Sequence, residues 1–519
     1  MPSLIPRPLD LKSSRRIPSN ARPSPMVLAI DIGTSSSRSA IYDASGVRLI
    51  ETTAQFSYAL QTGSDGRAEL RPADVDRAVR QAITTTLKVW RAKKTSRPII
   101  GIGVSCFWHS LLGLDQRGRP VTPIYTWADA RCHEAAELLR RDPGEAALHA
   151  RTGCMGRTSF WPAKLLWLRK SNPRLFASVA RWVSPAEWIQ ERWCGHATVS
   201  LSMASGTGLL NGHTLQWDGP LLRRCQLASR QLNPLSESPQ PLRPALAQKY
   251  PELTDVPWFP AIGDGAASNL GSGATAPNVA AINVGTSAAL RVVLKDSPAG
   301  RKPMAPLGLF AYRVDAARQL LGGAVSNAGN LRAWALRELN LPAGAAPVEK
   351  LLAARPLPVE NLTALPFWIA ERAPTWPENL PSVVVGINQA TTALDLLQTL
   401  QEATYHRLAQ IADFLEQKLE RKLTFIISGG LQRSPHSLQR LANVLGRTVF
   451  PSSEPEASLR GGALFALEQL GYAPKQTAPR SAVRPQPGPA RAYARCRQRQ
   501  IELEKRWATI LRRELDTFL

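Results

Sequence analysis

The sequence contains no long hydrophobic run and no closely spaced pair of cysteines. None of its apolar stretches approaches the roughly 20 residues that a membrane-spanning helix requires. We therefore exclude a transmembrane segment and expect a cytoplasmic protein without a membrane partner. The six cysteines are scattered, with no Cys-x-x-Cys pair and no metal-ligand spacing. This usage is typical of reduced thiols in the cytosol, and a zinc site is not expected.

Acidic residues are scarce relative to basic ones, and the net charge is +24. Residues 1–25 hold five Lys or Arg against one Asp, and residues 471–519 hold eleven against four acidic residues. The two termini thus carry nearly half of the surplus. The remaining charge suits an anionic ligand such as ATP or a sugar acid, although it identifies neither. Basic and aromatic residues do not interleave as they do in RNA-binding sheets, so we expect no nucleic-acid partner.

Length and composition indicate more than one folded domain. A chain of 519 residues with 44% hydrophobic and 20% charged residues is too long for one ordinary core. Residues 1–25 are rich in Pro, Ser and Arg without apolar periodicity, which predicts a disordered basic leader. A proline-dense stretch at 234–260 predicts the boundary between a first domain (26–255) and a second domain (256–470). Beyond these, the composition predicts a basic Pro/Arg-rich and helical tail (471–519).

Buried strands and amphipathic helices alternate along both halves, which predicts a mixed α/β fold. The clearest segments are helices at 73–92, 391–419, 434–446 and 458–470, strands at 99–104 and 423–427, and a basic helical stretch at 492–517. In folds of this class, polar residues at the ends of strands form the ligand site. Functional residues are therefore expected directly after the predicted strands.

One strand-turn-strand pattern occurs twice, once in each half. Residues 26–30 and 280–284 each read as a buried strand that is followed by a glycine-hydroxyl turn and a second apolar strand. The turns are Gly33, Thr34 and Ser35 in the first copy and Gly285, Thr286 and Ser287 in the second. Backbone N–H groups and hydroxyls in such a turn can converge on a phosphate, although a single Gly-Thr-Ser is also an ordinary hairpin turn. The repetition indicates an internal duplication and a paired phosphate clamp.

Two aspartates stand within these glycine-rich segments. Asp31 directly precedes the first turn, where a carboxylate beside phosphates calls for a divalent cation. We therefore expect Asp31 to hold Mg²⁺ through water, with turn capping as the alternative. Asp264 lies between Gly263 and Gly265 and is followed by small residues suited to a tightly packed helix. There it could accept the proton of a hydroxyl that attacks phosphorus, or simply cap the helix.

These segments together resemble the FGGY family of carbohydrate kinases, within the actin-like ATPase superfamily, and most of all its gluconokinase branch. The resemblance spans about residues 26–470. It is carried by the phosphate turns at 29–35 and 282–287, the glycine pair at 428–430, the base segment at 263–271, the Trp-x-Asp-x-Arg pattern at 127–131 and the segment at 109–111. Residues 164–168 and 371–374 are further family marks, which we interpret as mainly structural.

The resemblance implies two actin-like (ribonuclease H-like) α/β domains around a central cleft, with ATP held mainly by the second and the sugar by the first. It implies a phosphotransferase that uses ATP and Mg²⁺ and acts on an alcohol group, D-gluconate being the leading acceptor. The implied site comprises Asp264 as catalytic base, His109, Trp127, Asp129 and Asp264 at the sugar, both turns with Gly429 and Gly430 at ATP, and Asp31 at the metal. Converging hydrogen-bonding groups beside an aromatic face are what sugar binding requires.

Other interpretations stay open at this point. Trp108 and Trp161 occupy positions where the family usually carries Met and a small residue, which affects substrate identity more than phosphoryl transfer. A xylulokinase or another FGGY sugar or polyol kinase is the alternative within the family. A catalytically silent sugar or nucleotide sensor is the alternative from a different class. The sequence does not specify the oligomeric state and leaves a homodimer open.

Overall fold

The computed structural model describes residues 24–296, 305–355, 357–377, 380–475 and 478–518. Residues 1–23, most of the predicted leader, lie outside the described part of the chain. No helix in the described ranges combines the length and the apolar character needed to span a lipid bilayer.

The strands of the described chain are β1 (Met26–Ile32), β2 (Ser36–Asp43), β3 (Ala54–Ser57), β4 (Gln61–Thr62), β5 (Ala68–Leu70), β6 (Ile99–Cys106), β7 (Leu112–Leu114), β8 (Ile124–Tyr125), β9 (Arg181–Val183), β10 (Leu210–Asn211), β11 (Gln216–Trp217), β12 (Ile262–Gly263), β13 (Val279–Val284), β14 (Ala288–Lys295), β15 (Phe310–Arg313), β16 (Arg318–Val325), β17 (Thr363–Leu365), β18 (Val383–Val385), β19 (Thr424–Gly429) and β20 (Val449–Pro451).

The α-helices are α1 (Pro72–Ala92), α2 (His133–Leu139), α3 (Glu145–Thr152), α4 (Trp161–Ser171), α5 (Pro173–Ser178), α6 (Pro185–Cys194), α7 (Leu201–Thr207), α8 (Gly219–Cys225), α9 (Pro244–Lys249), α10 (Asp264–Ser272), α11 (Gly329–Glu338), α12 (Ala345–Ala353), α13 (Ala393–Leu419), α14 (Pro435–Leu445), α15 (Ala457–Gln469) and α16 (Pro487–Phe518). Strands and helices alternate in both halves, so the predicted mixed α/β class is confirmed.

Two sheets with a common plan form the framework. The first has the order β3-β2-β1-β6-β12, and the second has the order β15-β16-β14-β13-β19-β20. In the first sheet β1 is antiparallel to β2 and parallel to β6. In the second sheet β13 is likewise antiparallel to β14 and parallel to β19. Apart from the added edge strand β15, the two sheets have the same strand order and the same strand directions, as an internal duplication predicts.

The apolar pattern of the sequence explains how each sheet is covered. Every residue of β1 is buried, which is why it reads as a continuous hydrophobic run. Helix α1 begins with a proline at its first position and turns Val75, Val79 and Ile83 toward the first sheet at four-residue spacing. Helix α13 buries an apolar face against the second sheet in the same way.

Helix α15 follows the second sheet in the chain but packs against β1 and β6 of the first sheet and against α10. Glycines permit this close approach. A Cβ on Gly461 would lie 1.8 Å from the carbonyl oxygen of Ala267 in α10, and a Cβ on Gly103 would lie 2.0 Å from that of Gly462. The crossing helix thereby fixes α10, whose first residue is Asp264, against the end of the first sheet.

Helix α16 packs on α13, α14 and β17 in the second half. The hydroxyl of Tyr493, which is fully buried, donates a hydrogen bond of 2.6 Å to Glu402 of α13. In addition, Val483 pairs with Val449 just before the helix begins. Residues 483–493 are thus packed into the structure of the second half.

Candidate active site

The turns and strand ends singled out in the sequence surround a cavity of about 210 Å³, which we call the first cavity. Residues that follow strands of both sheets line it. Its polar side chains include Thr34, His109, Asp264, Ser287, Arg291 and Arg372, and its aromatic wall includes Trp108, Trp127, Phe160 and Tyr312. A cavity of this composition, with hydrogen-bonding groups beside aromatic faces, suits a small polyhydroxylated molecule.

Two further cavities adjoin the second sheet. The second cavity, about 260 Å³, is lined by the backbone of Gly285 and Gly430 and by side chains that include Arg332 and Tyr405. The third cavity, about 300 Å³, is lined by Ser268, Asn283, Ser428 and Gly429 among others. Asp264 and Arg291 line the third cavity as well as the first, so they mark the boundary between the two.

Asp264 is the first residue of α10 and follows the short strand β12, which pairs with β6. Its carboxylate accepts a hydrogen bond of 2.8 Å from the backbone N–H of Gly265. Burial raises the pKa of this carboxyl group, and the nearby Asp31 charge raises it further, whereas the Arg291 charge opposes the rise. A carboxylate with a raised pKa is a stronger proton acceptor than an exposed aspartate, as a general base requires.

The glycines on either side of Asp264 make room for the ring of Trp108. A Cβ on Gly263 would lie 1.7 Å from the Trp108 ring, and one on Gly265 would lie 2.6 Å from the ring and 2.7 Å from Nε of Arg291. The indole Nε1 of Trp108 donates to the carbonyl of Ser202 at 3.0 Å, which holds the ring in place. The flanking glycines thus admit a large aromatic side chain beside the carboxylate.

His109 projects into the first cavity from a backbone with φ of +67°, a conformation that residues other than glycine adopt rarely and mainly at functional sites. Burial lowers the pKa of His109 to about 3, so the imidazole is neutral at physiological pH. Its Nδ1 is hydrogen-bonded to the carbonyl oxygen of Gly206, which can only accept. Nδ1 therefore carries the proton, and Nε2 is left as an acceptor for a hydroxyl group.

Trp127 lies where the two halves of the chain meet. Its Nε1 donates to Thr34 Oγ1 at 3.2 Å, which ties it to the first glycine-hydroxyl turn. The guanidinium of Arg372, from the second half, lies over its ring at 5.0 Å from the centroid. Trp127 thus lines the first cavity as predicted for a sugar-facing aromatic residue, with Arg372 stacked on its indole ring.

Asp129 is not among the residues that line the first cavity. Its carboxylate is buried and accepts hydrogen bonds from the backbone N–H of Ala68 at 3.1 Å and from Arg131 at 2.6 Å. The sugar contact expected of Asp129 therefore has no counterpart in this geometry. Its bonds instead hold the loop that presents Trp127.

The two glycine-hydroxyl turns are the bends of the hairpins β1–β2 and β13–β14, at equivalent places in the two sheets. Gly33 N–H donates to the carbonyl of Ser36, and Gly285 N–H donates to that of Ser287, each at 2.9 Å. Thr34 and Ser287 line the first cavity, whereas Gly285 lines the second. Ser35 and Thr286 are exposed on their turns.

The predicted glycine pair lies at the end of β19, beside β13. Gly429 has φ of +85°, and a Cβ there would lie 2.3 Å from the carbonyl oxygen of Val284, so only glycine fits. Gly429 lines the third cavity and Gly430 lines the second cavity. The glycine pair therefore lies between these two cavities, next to the second turn. The structure thus brings the second turn and the glycine pair together.

Comparison with known proteins agrees with this arrangement. Residues 26–271 match the N-terminal domain of the FGGY family of carbohydrate kinases, and residues 280–469 match its C-terminal domain. The chain belongs to the FGGY family of carbohydrate kinases. These FGGY kinases are phosphotransferases that use ATP and have an alcohol group as acceptor. Family membership therefore supports an enzyme and not a catalytically silent sensor.

Similar FGGY kinases include a gluconokinase of Bacillus subtilis (strain 168), which is 25% identical over 86% of this chain and 88% of its own length. A xylulose kinase of Lactococcus lactis is 26% identical over 85% of this chain and 87% of its own length. Among solved structures, the gluconate kinase of Lactobacillus acidophilus superposes with a TM-score of 0.84 at 24% identity, covering 94% of this chain and 99% of that one. This likeness confirms the predicted actin-like two-domain fold.

Asp31 of this FGGY kinase is buried at the end of β1, and its two carboxylate oxygens differ. Oδ2 accepts from Arg38 at 2.5 Å and from Ser458 at 2.9 Å. Oδ1 is buried and has no hydrogen-bond partner in the described chain. Groups of three or more potential ligands that could hold a metal ion by themselves are absent from the described residues. The orphaned oxygen suits a metal-bound water, so the residues fit an indirectly held Mg²⁺.

Arg291, Tyr312 and Arg372 also line the first cavity of this FGGY kinase, and none of them was predicted as a site residue. Arg372 belongs to the segment 371–374, which we interpreted as mainly structural. That interpretation suits Glu371, because its carboxylate accepts hydrogen bonds from the backbone N–H groups of Ser326 and Arg372. Arg291 lies four residues after Ser287, the last residue of the second turn, on β14. Its spacing from the turn was the available signal, because alternate residues of a strand face one side of the sheet.

Proposed function

We propose that this protein is a gluconokinase, which transfers the γ-phosphate of ATP to the primary hydroxyl of D-gluconate and yields 6-phosphogluconate. The observation that carries the proposal is the position of Asp264 on the wall between the first and third cavities. The Bacillus subtilis relative and the gluconokinase-like sequence around Asp264 support the acceptor. Xylulose kinases of similar identity make a ketose the alternative acceptor.

In this proposal the acceptor occupies the first cavity, and the triphosphate passes between the two turns to the border of the first and third cavities at Asp264. Asp264 accepts the proton of the attacking hydroxyl as its oxygen bonds to the γ-phosphorus, while the bond from that phosphorus to the β-γ bridging oxygen breaks and ADP leaves. His109 accepts a hydrogen bond from another acceptor hydroxyl through Nε2. Trp127 covers the carbon chain.

The nucleotide would be held between the two glycine-hydroxyl turns. Thr34 with its neighbours on the first turn, and Gly285 to Ser287 on the second, would surround the phosphates, and the backbone of Gly429 and Gly430 would lie along the adenosine in the second cavity. Asp31 would hold Mg²⁺ through a water molecule. When bound, Mg²⁺ neutralises charge on the phosphates.

We also propose the domain division 26–255 and 256–470, in which the first domain carries the acceptor contacts of His109 and Trp127 and the start of the second segment, β12, returns to the first sheet. The second domain carries the nucleotide cavity. The described part of residues 471–519 would then be an addition to the second domain. Limited proteolysis followed by mass spectrometry would test the boundary, because cleavage within 234–260 with retention of two stable fragments is expected.

The acceptor is tested with purified protein in a coupled assay for ADP release. D-gluconate, D-xylulose, glycerol and other sugar acids, ketoses and polyols are compared by kcat/KM at saturating Mg·ATP. The proposal expects D-gluconate to be the best acceptor. A panel in which gluconate is inert while xylulose or glycerol turns over would refute this assignment.

The role of Asp264 is tested by Asp264→Asn, which keeps the shape of the side chain but cannot take up the proton. We expect kcat to fall by roughly 100- to 10,000-fold, with gluconate KM within about threefold of wild type, because substrate contacts remain. Asp65→Asn, a change at an exposed turn residue, is the matched control and should retain full activity. An Asp264→Asn protein with near-normal kcat would exclude Asp264 as the base.

A further inference from the structure

The first cavity contains more positive than negative charge. Its described lining holds one carboxylate, Asp264, and two guanidinium groups, Arg291 and Arg372. His109 adds no charge, since burial lowers its pKa to about 3. Burial lowers the pKa of both arginines. The nearby charges of Asp264 for Arg291 and of Glu371 for Arg372 oppose this effect, and the Arg291 charge lowers the pKa of Arg372 further. An anion that enters this cavity would therefore relieve an unfavourable concentration of positive charge.

The buried arginines of the described chain are paired with carboxylates, whereas Arg291 and Arg372 are half-buried. Arg313 forms two bonds with Asp296, and Arg407, which is fully buried, bonds Glu504 at 2.9 Å. In contrast, neither Arg291 nor Arg372 has an ion-pair partner within 4 Å among the described residues. Both are thus placed to pair with charge that a ligand supplies.

The two arginines differ in the cavities that they reach. Arg291 lines both the first and the third cavity, beside Asp264, so the transferred phosphoryl group is the anion that would approach it. Arg372 lines the first cavity and is not among the described residues that line the third. The anion that we assign to Arg372 is therefore a charged group of the acceptor, which occupies the first cavity in the proposed function.

The hydrogen bonds of Arg372 fix its orientation and leave donors free. Nε donates to Ser326 Oγ at 3.1 Å, and Nη2 donates to the carbonyl of Val325 at 3.2 Å. The guanidinium plane is further held over the Trp127 ring. Nη1 has no hydrogen-bond partner within the described residues, although Glu371 is adjacent, because the Glu371 carboxylate is used by backbone N–H groups. A preorganised guanidinium with free N–H groups is suited to a carboxylate.

We propose that Arg372 binds the carboxylate of the acceptor and so selects a sugar acid over neutral sugars and polyols. This inference rests on the proposed function, because it assigns a residue to the charged end of the same acceptor. Arg372 is a specificity residue in this proposal, and Asp264 remains the residue that takes the proton.

The test compares two acceptors on two proteins. D-gluconamide has the carbon chain of D-gluconate, with a neutral amide in place of the carboxylate. Wild-type protein should prefer gluconate by roughly 10- to 100-fold in kcat/KM, the range expected for a hydrogen-bonded charged group. Arg372→Gln should lose this preference mainly through a higher KM for gluconate, whereas KM for ATP should stay within about twofold.

Two further variants serve as comparisons. Arg372→Lys keeps the charge without the planar fork and should retain part of the preference; it also replaces the Gln variant should that protein fail to fold. Arg337→Gln removes one positive charge from an exposed site of the same half and should leave the preference unchanged.

The possible outcomes separate the two proposals. A wild-type protein that uses gluconate and gluconamide equally, or an Arg372→Gln protein that keeps the full preference, would overturn the carboxylate site while gluconokinase activity stands. A wild-type protein that turns over xylulose or glycerol and neither gluconate nor gluconamide would overturn the proposed acceptor, and the carboxylate site with it. Loss of preference confined to the Arg372 variants supports the assignment.

Discussion

Burial acts in opposite directions on the two titratable groups that face the proposed acceptor. Desolvation disfavours whichever form is charged, so it raises the pKa of Asp264 and lowers that of His109 to about 3. At neutral pH His109 is therefore a fixed hydrogen-bond acceptor and does not exchange protons with the acceptor. Asp264 is left as the residue of the first cavity that can gain a proton during the reaction, and Arg291 is the cation that opposes the rise in its pKa.

This arrangement predicts the shape of the pH profile. Asp264 must be ionised to act as a base, so activity is lost as the pH falls through its raised pKa, above the ordinary value of 3.8. Arg291→Met removes a charge that lowers this pKa, and the acidic limb of kcat/KM should therefore move to higher pH. Steady-state rates across the acidic range for wild type and variant measure the shift.

The control for that experiment is Arg337→Gln, which should leave the acidic limb in place. An acidic limb that moves to lower pH in Arg291→Met would contradict the assignment of Asp264 as the titrating group. The ordinary pKa of histidine is 6.5. If the acidic limb of the pH profile lay near this pH and disappeared in His109→Gln, the assignment of a neutral His109 imidazole would be contradicted.

At the scale of elements, the repeated strand-turn-strand pattern was sufficient to predict the core of both sheets. Local signals were strong there, because buried strands read as apolar runs and the hairpin bends require glycine. The cavity could not be assembled from such signals. Arg291, Tyr312 and Arg372 reach it from β14, from β15 and from the connection between β17 and β18, and only tertiary packing brings these segments together. The site function of Asp129 followed from resemblance alone, and its bonds to Arg131 and Ala68 were not visible in the sequence.

The crossing of α15 with α10 carries an element-scale prediction. A methyl group on Gly461 would meet the backbone oxygen of Ala267 at 1.8 Å, and a backbone atom cannot move aside as a flexible side chain can. Gly461→Ala should lower the free energy of unfolding by about 3 kcal/mol, the upper end of the usual cost of overpacking. It should also lower kcat, because α10 begins at Asp264. Denaturant titration and the ADP assay measure the two effects.

Gly488 in the first turn of α16 provides the matched control, since a Cβ there would meet nothing within 4 Å. Gly488→Ala should stay within about 1 kcal/mol of wild type, because the helix preference of alanine is offset by the restriction that Pro489 places on the residue before it. Equal stability of the Gly461→Ala and Gly488→Ala proteins would show that α10 and α15 can move apart without loss of stability.

At the scale of the whole molecule, both halves of the chain complete each other's sites. Ser458 of α15 donates to Asp31 at the end of β1, and Arg372 stacks on Trp127 across the first cavity. The backbone N–H of Ala311 also donates a hydrogen bond of 2.9 Å to the carbonyl oxygen of Gly153, which joins the two halves. Contacts of this kind suit a cleft that closes over its substrates and excludes water, so that phosphate is transferred and not hydrolysed.

Helix α16 is connected to the proposed acceptor site through buried hydrogen bonds. It lies outside the match to the FGGY family, which ends at residue 469. Glu504 of this helix accepts a hydrogen bond of 2.9 Å from the fully buried Arg407. Arg407 in turn donates to the carbonyl of Ala373 at 2.9 Å and to Thr375 at 3.0 Å, next to Arg372. The chain of bonds therefore connects the last helix with the residue that we assign to the acceptor carboxylate.

Glu504→Ala would leave Arg407 buried without its carboxylate. We expect the free energy of unfolding to fall by about 3–5 kcal/mol, as when one partner of a buried ion pair is removed. Because the segment at 373–375 loses its anchor, KM for gluconate should rise while KM for ATP changes little. Glu502→Ala, an exposed change two residues earlier, should stay within about 0.5 kcal/mol of wild type. Equal thermal stability and equal gluconate KM in the two variants would show that α16 packs beside the site without supporting it.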